Sequence, residues 1–432
     1  MNIIKKIYCR VFQLCFKLAI PLLPYYNPTI LNRVEDISRV LKEKRIKNVM
    51  LVTDKSIKSI GITENLEKSL AENNINVTIF DKVVSNPTVE NVEEARVLYI
   101  KNSCQSLIGF GGGSAIDCAK AVGARIAKPN QQLKNMAGIL RVLRRIPLLI
   151  AIPTTAGTGT ETTVATVITD SKTKHKYMIS DFPLIPKYAV LDPEVTKSLP
   201  PHITASTGMD VLVHAVEAYI GNSTTKKTRE QSLVAIKLVF ENLQKAYTDG
   251  QDTEARRNML RASYLAGCAF TVSYVGYCHA VAHTLGGMYN TPHGLANAII
   301  IPYVLDAYGE TIHNKLKDLA IAAGICDKNT NEKQAAKLFI QSIRNLNRSM
   351  NIGDKIPSLI KEDIENLTYY ADLEANPVYP VPVLMDRKEL ERFYYDILEN
   401  PVEKIERICN NKEMESIQIE KISEDEKELV LR

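Results

Sequence analysis

Short apolar runs alternate with amphipathic segments along the first part of the chain, from about residue 28 to residue 195. Three runs have the length of a buried strand: 48–54, which stops at a turn-forming aspartate, 75–81 and 106–110. A fourth run, within 144–162, opens into a loop rich in threonine and glycine. The segments 64–74 and 88–102 have helical periodicity. This alternation predicts a Rossmann-like α/β domain, with helices on both faces of a parallel sheet.

Helical periodicity dominates after a double proline at 200–201. Four long segments show a period near 3.6: 205–221, 229–247, 254–272 and 331–350. Strand-like runs are few, so the second domain is predicted to be almost all helix. The expected organisation is a leader over 1–26, an α/β domain over 27–199, a helical domain over 200–398 and a charged tail over 399–432.

The leader contains the segment IIKKIYCRVFQLCFKLAIPLLP. On a helical wheel, Lys6, Arg10, Gln13 and Lys17 form one narrow polar stripe, and the rest of the circumference is an apolar arc. The segment is too short and too charged for a membrane span, and it lacks the pattern of a signal peptide. We expect a basic amphipathic helix whose arc packs on the protein's own body or on a sister subunit. Contact with a membrane surface, or docking into a larger assembly, is the alternative.

Composition narrows the classes of partner. The 432 residues exceed one ordinary core, and 45% hydrophobic with 24% charged residues is typical of a globular protein. The net charge is +5, but the leader carries most of it, so no nucleic-acid partner is expected. Eight cysteines without a CxxC spacing predict neither a disulfide framework nor a zinc knuckle. This favours a reduced, cytoplasmic environment.

The stretch LIGFGGGSAIDCAKAVG (107–123) combines a strand, three glycines at 111–113 and a helix. Glycine lets the backbone approach a phosphate closely, and a helix N-terminus presents free N–H groups to an anion. Ser114 is the candidate cap of this helix. The stretch matches neither the GxGxxG fingerprint nor a P-loop, and a tight strand-to-helix turn needs glycines in any case.

The next strand end favours a nucleotide site. In PTTAGTGTE (153–161), Thr154, Thr155 and Thr158 place hydroxyl groups where ligands of open α/β sheets bind. Asp54 ends the first predicted strand. A carboxylate there can accept a hydrogen bond from a ribose 2′-hydroxyl and would repel a 2′-phosphate. A turn aspartate is an equally strong interpretation.

Three of the seven histidines lie within CHAVAHTLGGMYNTPHG (278–294). His279 and His283 are four apart, as are Asp210 and His214, so a helix places each pair on one face. His293 follows a turn and can approach them. A metal would satisfy such buried polar groups together. One carboxylate and three imidazoles suit Fe²⁺ or Zn²⁺ rather than Mg²⁺ or Ca²⁺, so one of the five candidates is spare.

Taken together, these motifs resemble the iron-containing (group III) alcohol dehydrogenases over roughly residues 28 to 398. The resemblance rests on GFGGGSAIDCAK, IPTTAGTGTE, AVLDPEV with ASTGMDVLVHAVEAY, and GYCHAVAHTLGGMYNTPHGLANA, in the family's order and spacing. The last two resemble the family's signature regions. The resemblance implies a dehydroquinate synthase-like architecture with an N-terminal dinucleotide-binding domain, an all-α C-terminal domain and an active site in the cleft between them.

The resemblance also implies a role for each candidate residue. The implied metal ligands are Asp210, His214, His279 and His293. The spare histidine, His283, is implied in proton transfer near the nicotinamide. The implied cofactor contacts are Gly112, Gly113 and Ser114 at the pyrophosphate and Thr154, Thr155, Thr158 and Lys176 at the nicotinamide and ribose, with Asp117 nearby. Asp54 matches the position where an aspartate accompanies a preference for NAD over NADP.

The implied function is transfer of a hydride between NAD(H) and a small alcohol or aldehyde whose oxygen lies on Fe²⁺ or Zn²⁺. Glycerol dehydrogenases and lyases of the dehydroquinate synthase type share the scaffold and are the alternatives among enzymes. A scaffold protein acting through the leader helix is the alternative of another class. A homodimer is expected. Four aromatic residues are candidate walls of a substrate site, with helix-core positions as the stronger interpretation: Phe270, Tyr274, Tyr277 and Tyr289.

Overall fold

The computed structural model describes residues 1–171 and 176–399. Its strands are β1 (Thr29–Leu31), β2 (Asn48–Val52), β3 (Asn76–Phe80), β4 (Ser106–Gly111), β5 (Gly138–Ile139), β6 (Leu148–Pro153), β7 (Ala165–Thr169), β8 (Lys176–Ser180) and β9 (Tyr188–Val190). Six of them form one parallel sheet in the order β1-β9-β6-β4-β2-β3. The central strands β2, β4 and β6 are almost wholly buried, which explains their continuous apolar runs. The predicted parallel sheet is confirmed.

Helices pack on both faces of this sheet. The helices of this region, together with the leader helix, are α1 (Ile3–Ala19), α2 (Asp36–Glu43), α3 (Lys55–Ser59), α4 (Glu64–Glu72), α5 (Val89–Lys101) and α6 (Gly113–Ala127). In β2, Met50 and Val52 belong to one apolar cluster, whereas Val49 and Leu51 belong to another. Alternate residues of the strand therefore contribute to the two separate cores that a helix-covered parallel sheet requires.

A second, smaller sheet in the order β5-β8-β7 was not predicted from the sequence. β7 and β8 pair antiparallel, with Val167 opposite Met178. These two side chains are exposed, whereas Ile168 and Ile179 are buried, so the sheet has one solvent face and one core face. Its strands have at most five residues, which is too few for a clear periodic signal.

Beyond β9 the described chain, up to residue 399, is helical. Its helices are α7 (Pro201–Ile220), α8 (Lys226–Thr248), α9 (Thr253–Ser273), α10 (Tyr277–Tyr289), α11 (His293–Tyr308), α12 (His313–Ala322), α13 (Glu332–Ser349), α14 (Ile364–Ala375) and α15 (Arg387–Ile397). The four predicted helical segments agree with α7, α8, α9 and α13 to within a few residues. α7 is buried along most of its length, as a central helix of one continuous apolar core. The predicted fold class is confirmed.

The leader helix α1 packs on the helical region through two residues of its polar stripe, Arg10 and Gln13, and through the buried Cys9. The Arg10 guanidinium donates to the carbonyl oxygens of Val381, at 2.7 Å, and Pro382, at 2.8 Å. The buried Nε2 of Gln13 donates to the carbonyl oxygen of Tyr379 at 2.8 Å. The expectation that the apolar arc packs on the protein's own body is wrong for most of the arc, because its side chains are exposed; Cys9 is buried against the body. The loop carbonyls need donors, and the polar stripe supplies them.

Within residues 1–171 and 176–399, no single helix is long and apolar enough to cross a membrane. One pair, α9 and α10, reaches the length and composition of a span only when its two helices are taken together across a bend of 103°. Both are core helices of the structure, in which Cys268 and Cys278 are buried with free thiols.

Candidate active site

Four side chains that can ligate a metal converge where α7, α10 and α11 meet. Asp210 and His214 come from α7, His279 from α10 and His293 from the first position of α11. One ligand atom of each lies within 4.8 Å of the others. Nε2 of His293 lies 3.4 Å from Oδ1 of Asp210, and Nε2 of His279 lies 3.9 Å from the same oxygen. The described chain therefore brings these four candidates into one cluster.

A chain reversal between α10 and α11 returns His293 to this cluster. α10 ends at Tyr289, and its C-cap, Asn290, adopts a left-handed conformation with a φ of 54°. Gly294 follows His293, and a Cβ on this glycine would lie 2.2 Å from the carbonyl oxygen of Ser206 in α7. Because any larger residue would clash there, glycine permits the close approach of α11 to α7. That approach places His293 beside Asp210.

Two buried ring nitrogens in the cluster lack a hydrogen-bond partner: Nδ1 of His214 and Nε2 of His279. Burial disfavours the imidazolium, so it lowers the pKa of His214 and lowers that of His279 well below its usual value. Burial also lowers the pKa of His293 to about 4. Neutral imidazoles with free lone pairs are the form of histidine that binds metals. With one carboxylate, this donor set fits Fe²⁺ or Zn²⁺.

Two buried residues that were not predicted from the sequence form hydrogen bonds with candidate ligands of the cluster. The Glu217 carboxylate lies 2.5 Å from Nδ1 of His279, and Nδ2 of Asn297 donates to Oδ1 of Asp210 at 2.8 Å. Burial raises the pKa of Glu217 to about 7. Asp210, His214 and Glu217 follow the i, i+4, i+7 spacing of one helix face, and this spacing was the available signal.

His283 lies outside the four-residue cluster and pairs with Glu374. Its Nδ1 lies 2.6 Å from Oε1 of Glu374, its side chain is 43% exposed, and its ring stacks on His293 with 5.1 Å between centroids. Burial opposes the charge of His283, but the charge and hydrogen bond of Glu374 outweigh burial and raise its pKa. Burial likewise opposes the charge of Glu374, but His283 outweighs it, so the pKa of Glu374 is lowered.

The glycine loop, residues 111–113, joins β4 to α6, and its last glycine is the first residue of the helix. α6 begins at Gly113, and Gly112 is its N-cap, with no side chain to cover the first N–H groups. Gly111 has a φ of 150°, a conformation that favours glycine. The prediction that Ser114 caps this helix is wrong, because Ser114 already lies inside it. Its Oγ instead accepts the backbone N–H of Asn86 at 3.3 Å.

The threonine loop, residues 154–161, follows β6 and packs against the glycine loop. The backbone N–H of Thr154 donates to the carbonyl oxygen of Gly111 at 3.0 Å. A Cβ on each of the next two glycines would lie 3.9 Å from Thr155 and 3.3 Å from Thr158, respectively. The candidate cofactor residues at the ends of two neighbouring strands therefore lie close together.

Asp54 caps a short helix and also approaches the glycine loop. Its Oδ1 accepts the backbone N–H of Ile57 at 2.9 Å, which is the role of a turn aspartate. Its Oδ2 lies 3.8 Å from a Cβ built on Gly111. One oxygen of Asp54 thus holds α3, while the other lies at the edge where a nucleotide would meet the glycines.

The remaining candidate cofactor residues lie at the small sheet. Oδ2 of Asp117 accepts the backbone N–H of Val167 at 3.0 Å. Burial raises the pKa of Asp117 to about 6, although the charge of Lys120 opposes the rise. Lys120, which was not among the predicted residues, is fully buried in α6. Lys176 begins β8 opposite Thr169, and its side chain is exposed.

Two tight glycine contacts join the threonine loop to the helical region. A Cβ on Gly157 would lie 2.6 Å from Cβ of Thr207, on the same helix as Asp210. Gly159 has a φ of 61°, and a Cβ there would lie 2.8 Å from Cα of Gly267 in α9. The edge that carries the candidate cofactor residues is therefore packed directly against the ligand-bearing helices.

One of the four aromatic candidates touches the metal-ligand cluster. The Phe270 ring stacks on His214 with 4.2 Å between centroids and 14° between planes. Tyr277 is fully buried, and its hydroxyl is hydrogen-bonded within the core, so it holds a core position. The other two contact residues away from the cluster: Tyr274 with Phe16, and Tyr289 with Asp363.

Known proteins resemble this chain over both of its regions. Residues 30–193 match the family model described as iron-containing alcohol dehydrogenase, and residues 204–398 match the Fe-containing alcohol dehydrogenase family, C-terminal. Alcohol dehydrogenase 4 of Saccharomyces cerevisiae is 36% identical over 353 residues, which cover 80% of this chain and 91% of that protein. NAD-dependent methanol dehydrogenase of Bacillus methanolicus is 37% identical over 271 residues, covering 63% and 71%. The crystal structure of a 1,3-propanediol oxidoreductase has a TM-score of 0.83 at 30% identity and covers 87% of this chain and 98% of that one.

Proposed function

The chain belongs to the iron-containing alcohol dehydrogenase family, and on this premise we propose that it interconverts a small alcohol and its aldehyde with NAD(H) as hydride carrier. One observation carries the proposal. A carboxylate and three imidazoles lie together, and two of the ring nitrogens are buried without a partner. Such groups are costly to bury unless a metal satisfies them. The family then supplies the class of reaction.

Asp210, His214, His279 and His293 hold a divalent metal in this proposal. Iron is the metal of the family name, and zinc fits the same donors. When bound, the metal polarises the substrate oxygen, which favours loss of the alcohol proton in one direction and hydride addition to the carbonyl in the other. The protein contributes burial, which keeps the imidazoles neutral, and an outer hydrogen bond from Glu217 that orients His279.

NAD(H) would lie along the carboxyl edge of the sheet. Gly112 and Gly113 let the backbone approach the pyrophosphate, with Ser114 in the first turn of α6. Asp54 favours NAD over NADP, because its carboxylate near Gly111 would repel a 2′-phosphate. Thr154, Thr155, Thr158 and Lys176 would line the nicotinamide and ribose side, with Asp117 nearby. Substrate and nicotinamide would meet where the threonine loop packs on the helical region, and this packing would hold them close together.

His283 moves the proton that accompanies each hydride. Oxidation of an alcohol to an aldehyde releases one hydride and one proton, and the proton must reach solvent. The half-exposed His283 ring stacks on the proposed ligand His293, and its Nδ1 pairs with Glu374. A raised pKa keeps this imidazole able to donate a proton near neutral pH.

The proposal also covers the domain organisation, the oligomeric state, the cellular location and the partners of the protein. The units are the leader over 1–26, the α/β domain over 27–199, the helical domain over 200–398 and the tail over 399–432, of which 400–432 lie outside the described residues. The enzyme acts as a homodimer in the cytoplasm, on small alcohols or aldehydes and without nucleic acid. The leader helix contacts a surface outside its own chain, because its apolar arc is exposed.

Metal removal and return tests this function. NADH oxidation is followed with a panel of small aldehydes on protein purified without oxygen, before and after chelation and with Fe²⁺ or Zn²⁺ added back. We expect activity to vanish with the chelator and to return with one of the metals. His279→Ala should lose activity and bound metal. His202→Ala, which changes an exposed histidine of α7, should keep both.

Folded protein that binds NADH but reduces no aldehyde with either metal would contradict the proposed function. Product analysis then separates the related reactions. Oxidation of glycerol in preference to primary alcohols would assign the glycerol dehydrogenase type, and turnover without net NADH consumption would assign the lyase type.

A further inference from the structure

The outer face of α1 is a continuous apolar surface that the described chain leaves uncovered. Its exposed side chains are Ile3, Ile4, Ile7, Tyr8, Val11, Phe12, Leu14 and Leu18, followed by Leu22 just beyond the helix. Their exposure ranges from 41% for Phe12 to 86% for Leu22. On a helical wheel this arc covers about half of the circumference. Contiguous exposed apolar surfaces of this kind mark interaction sites.

The contacts of the inner face of α1 fix the orientation of the helix, with the apolar arc on its outer side. Cys9 is fully buried, and Gln13 and Arg10 donate to carbonyl oxygens of the loop before α15. Nζ of Lys5 lies 3.0 Å from the buried carboxylate of Asp372. Because turning the arc inward would break each of these bonds, the helix presents its apolar side as a fixed surface.

Free cations border the arc on one side. Lys6 and Lys17 are both exposed and fall within a narrow sector of the helical wheel. Burial lowers the pKa of Lys315, and the nearby charges of Lys17 and Arg229 lower it further, so several cations gather at this end of α1. The sequence has no acidic residue before Glu35. The border of the arc that carries Lys6 and Lys17 is therefore complementary to anions.

We propose that α1 docks the protein onto an anionic phospholipid surface. The helix lies parallel to the bilayer, with its apolar arc at the boundary between headgroups and acyl chains and with Lys6 and Lys17 at the phosphates. Tyr8 and Phe12 occupy the opposite border of the arc, where aromatic side chains suit the interface between lipid and water. Arg10 and Gln13 stay bonded to the protein, so docking requires no rearrangement of α1.

A second copy of the chain that pairs antiparallel fits this surface less well. When two copies pair antiparallel about a two-fold axis in the interface, the cationic border of one faces the cationic border of the other. No acidic residue of the leader compensates that repulsion. A groove in another protein would cover a narrower stripe of i, i+3, i+4 and i+7 positions. A lipid surface covers the whole arc and also pairs the cations with phosphates.

Cosedimentation of the full chain with vesicles tests this proposal. The vesicles contain phosphatidylcholine alone or mixed with phosphatidylglycerol, at low and high salt. We expect binding to the mixed vesicles, at least about tenfold weaker binding to phosphatidylcholine alone, and weakening by salt. The double variant Lys6→Gln/Lys17→Gln should lose roughly fivefold in affinity for each cation removed. Ile7→Gln/Leu14→Gln should lose binding to both kinds of vesicle.

A matched variant and a solution assay keep the result interpretable. Leu338→Gln changes an exposed apolar residue on α13, and its vesicle binding should equal that of the unmodified protein. Every variant should retain NADH turnover in solution, since no leader residue contacts the metal-ligand cluster; the proposal therefore does not depend on the proposed reaction. Protein that stays in the supernatant with mixed vesicles at low salt would overturn it. A change of oligomeric state in Ile7→Gln/Leu14→Gln, without loss of vesicle binding, would also overturn it and would indicate a second copy.

Discussion

The Glu217 carboxylate lies 2.5 Å from Nδ1 of His279 and also accepts the backbone N–H groups of Gly276, at 2.8 Å, and Cys278, at 2.9 Å. These contacts join α7 to the start of α10. A carboxylate at Nδ1 favours the tautomer protonated there, which leaves the lone pair of Nε2 directed towards Asp210, 3.9 Å away. Glu217 is therefore a positioning residue for the proposed metal ligand.

Glu217→Gln should weaken metal binding. Glutamine keeps the volume, but its amide cannot accept all three N–H groups, because one of its polar atoms is itself a donor. Loss of such an outer partner costs about 10–100-fold in metal affinity, and an unsatisfied buried donor costs about 1–3 kcal/mol of stability. Chelator competition and denaturant unfolding measure the two effects. Glu241→Gln, on the exposed face of α8, is the control, and affinities equal to the control would contradict the role of Glu217.

Much of the fold and of the ligand cluster could be predicted because the signals are local. The apolar periodicity of α7 sets its helix, and the polar residues Asp210 and His214 stand out on a buried face. Partners that are distant in sequence could not be predicted. Glu374 is 91 positions from His283, and the carbonyl oxygen that binds Arg10 is 371 positions away. Nothing in the leader indicates that those carbonyls need donors.

Local geometry explains the other differences between the predicted and the observed structure. Hydrophobicity alone favoured burial of the apolar arc of α1, but unsatisfied backbone carbonyls are costly and decided which face packs inward. Ser114 has the chemistry of a helix cap, yet the helix starts at Gly113, so the cap position falls on Gly112. The cap position therefore lies two residues before Ser114, and this shift changes the role of the serine side chain.

Asp54→Ser should relax the preference for NAD. Serine can still cap the N–H of Ile57, so α3 is retained, while the carboxylate beside Gly111 is removed. We expect the ratio of kcat/KM with NADPH to kcat/KM with NADH to rise about tenfold, which corresponds to roughly 1.4 kcal/mol. Steady-state kinetics with both cofactors measures it. Asp81→Ser, directly after the neighbouring strand β3, is the control and should leave the ratio unchanged. If both variants show the same ratio, the Asp54 carboxylate caps α3 but does not select the cofactor.

Gly159→Ala should destabilise the packing of the threonine loop on α9. The residue is left-handed, with a φ of 61°, and a Cβ would lie 2.8 Å from Cα of Gly267. Overpacking costs about 1–3 kcal/mol, and the left-handed conformation adds roughly 1 kcal/mol for alanine. A Cβ on Gly353 would meet nothing within 4 Å, so Gly353→Ala should be neutral or stabilise by about 0.4–1 kcal/mol. Denaturant unfolding compares them, and similar free energies of unfolding would argue against this close contact.

Glu374→Gln should shift the pH dependence of aldehyde reduction. Burial opposes the charge of His283, and the charge of Glu374 outweighs it in the native protein. Without that charge the pKa of His283 falls, so the imidazole loses its proton at a lower pH. Reduction requires a protonated donor, and the alkaline limb of kcat should therefore move to lower pH. Profiles of kcat against pH measure the shift, with Glu365→Gln, at an exposed position of α14, as the control.

The same substitution has a thermodynamic signature with a definite sign. Because the pKa of His283 is raised in the folded state, its pairing with Glu374 stabilises the protein fully below the ordinary histidine pKa, and this stabilisation is lost as pH rises through the raised value. Glu374→Gln should thus lower the free energy of unfolding at mildly acidic pH and change it little in alkaline solution. Urea unfolding at the two pH values measures the difference. A stability loss that is equal at both values, together with an unmoved alkaline limb, would show that Glu374 packs beside His283 without controlling its proton.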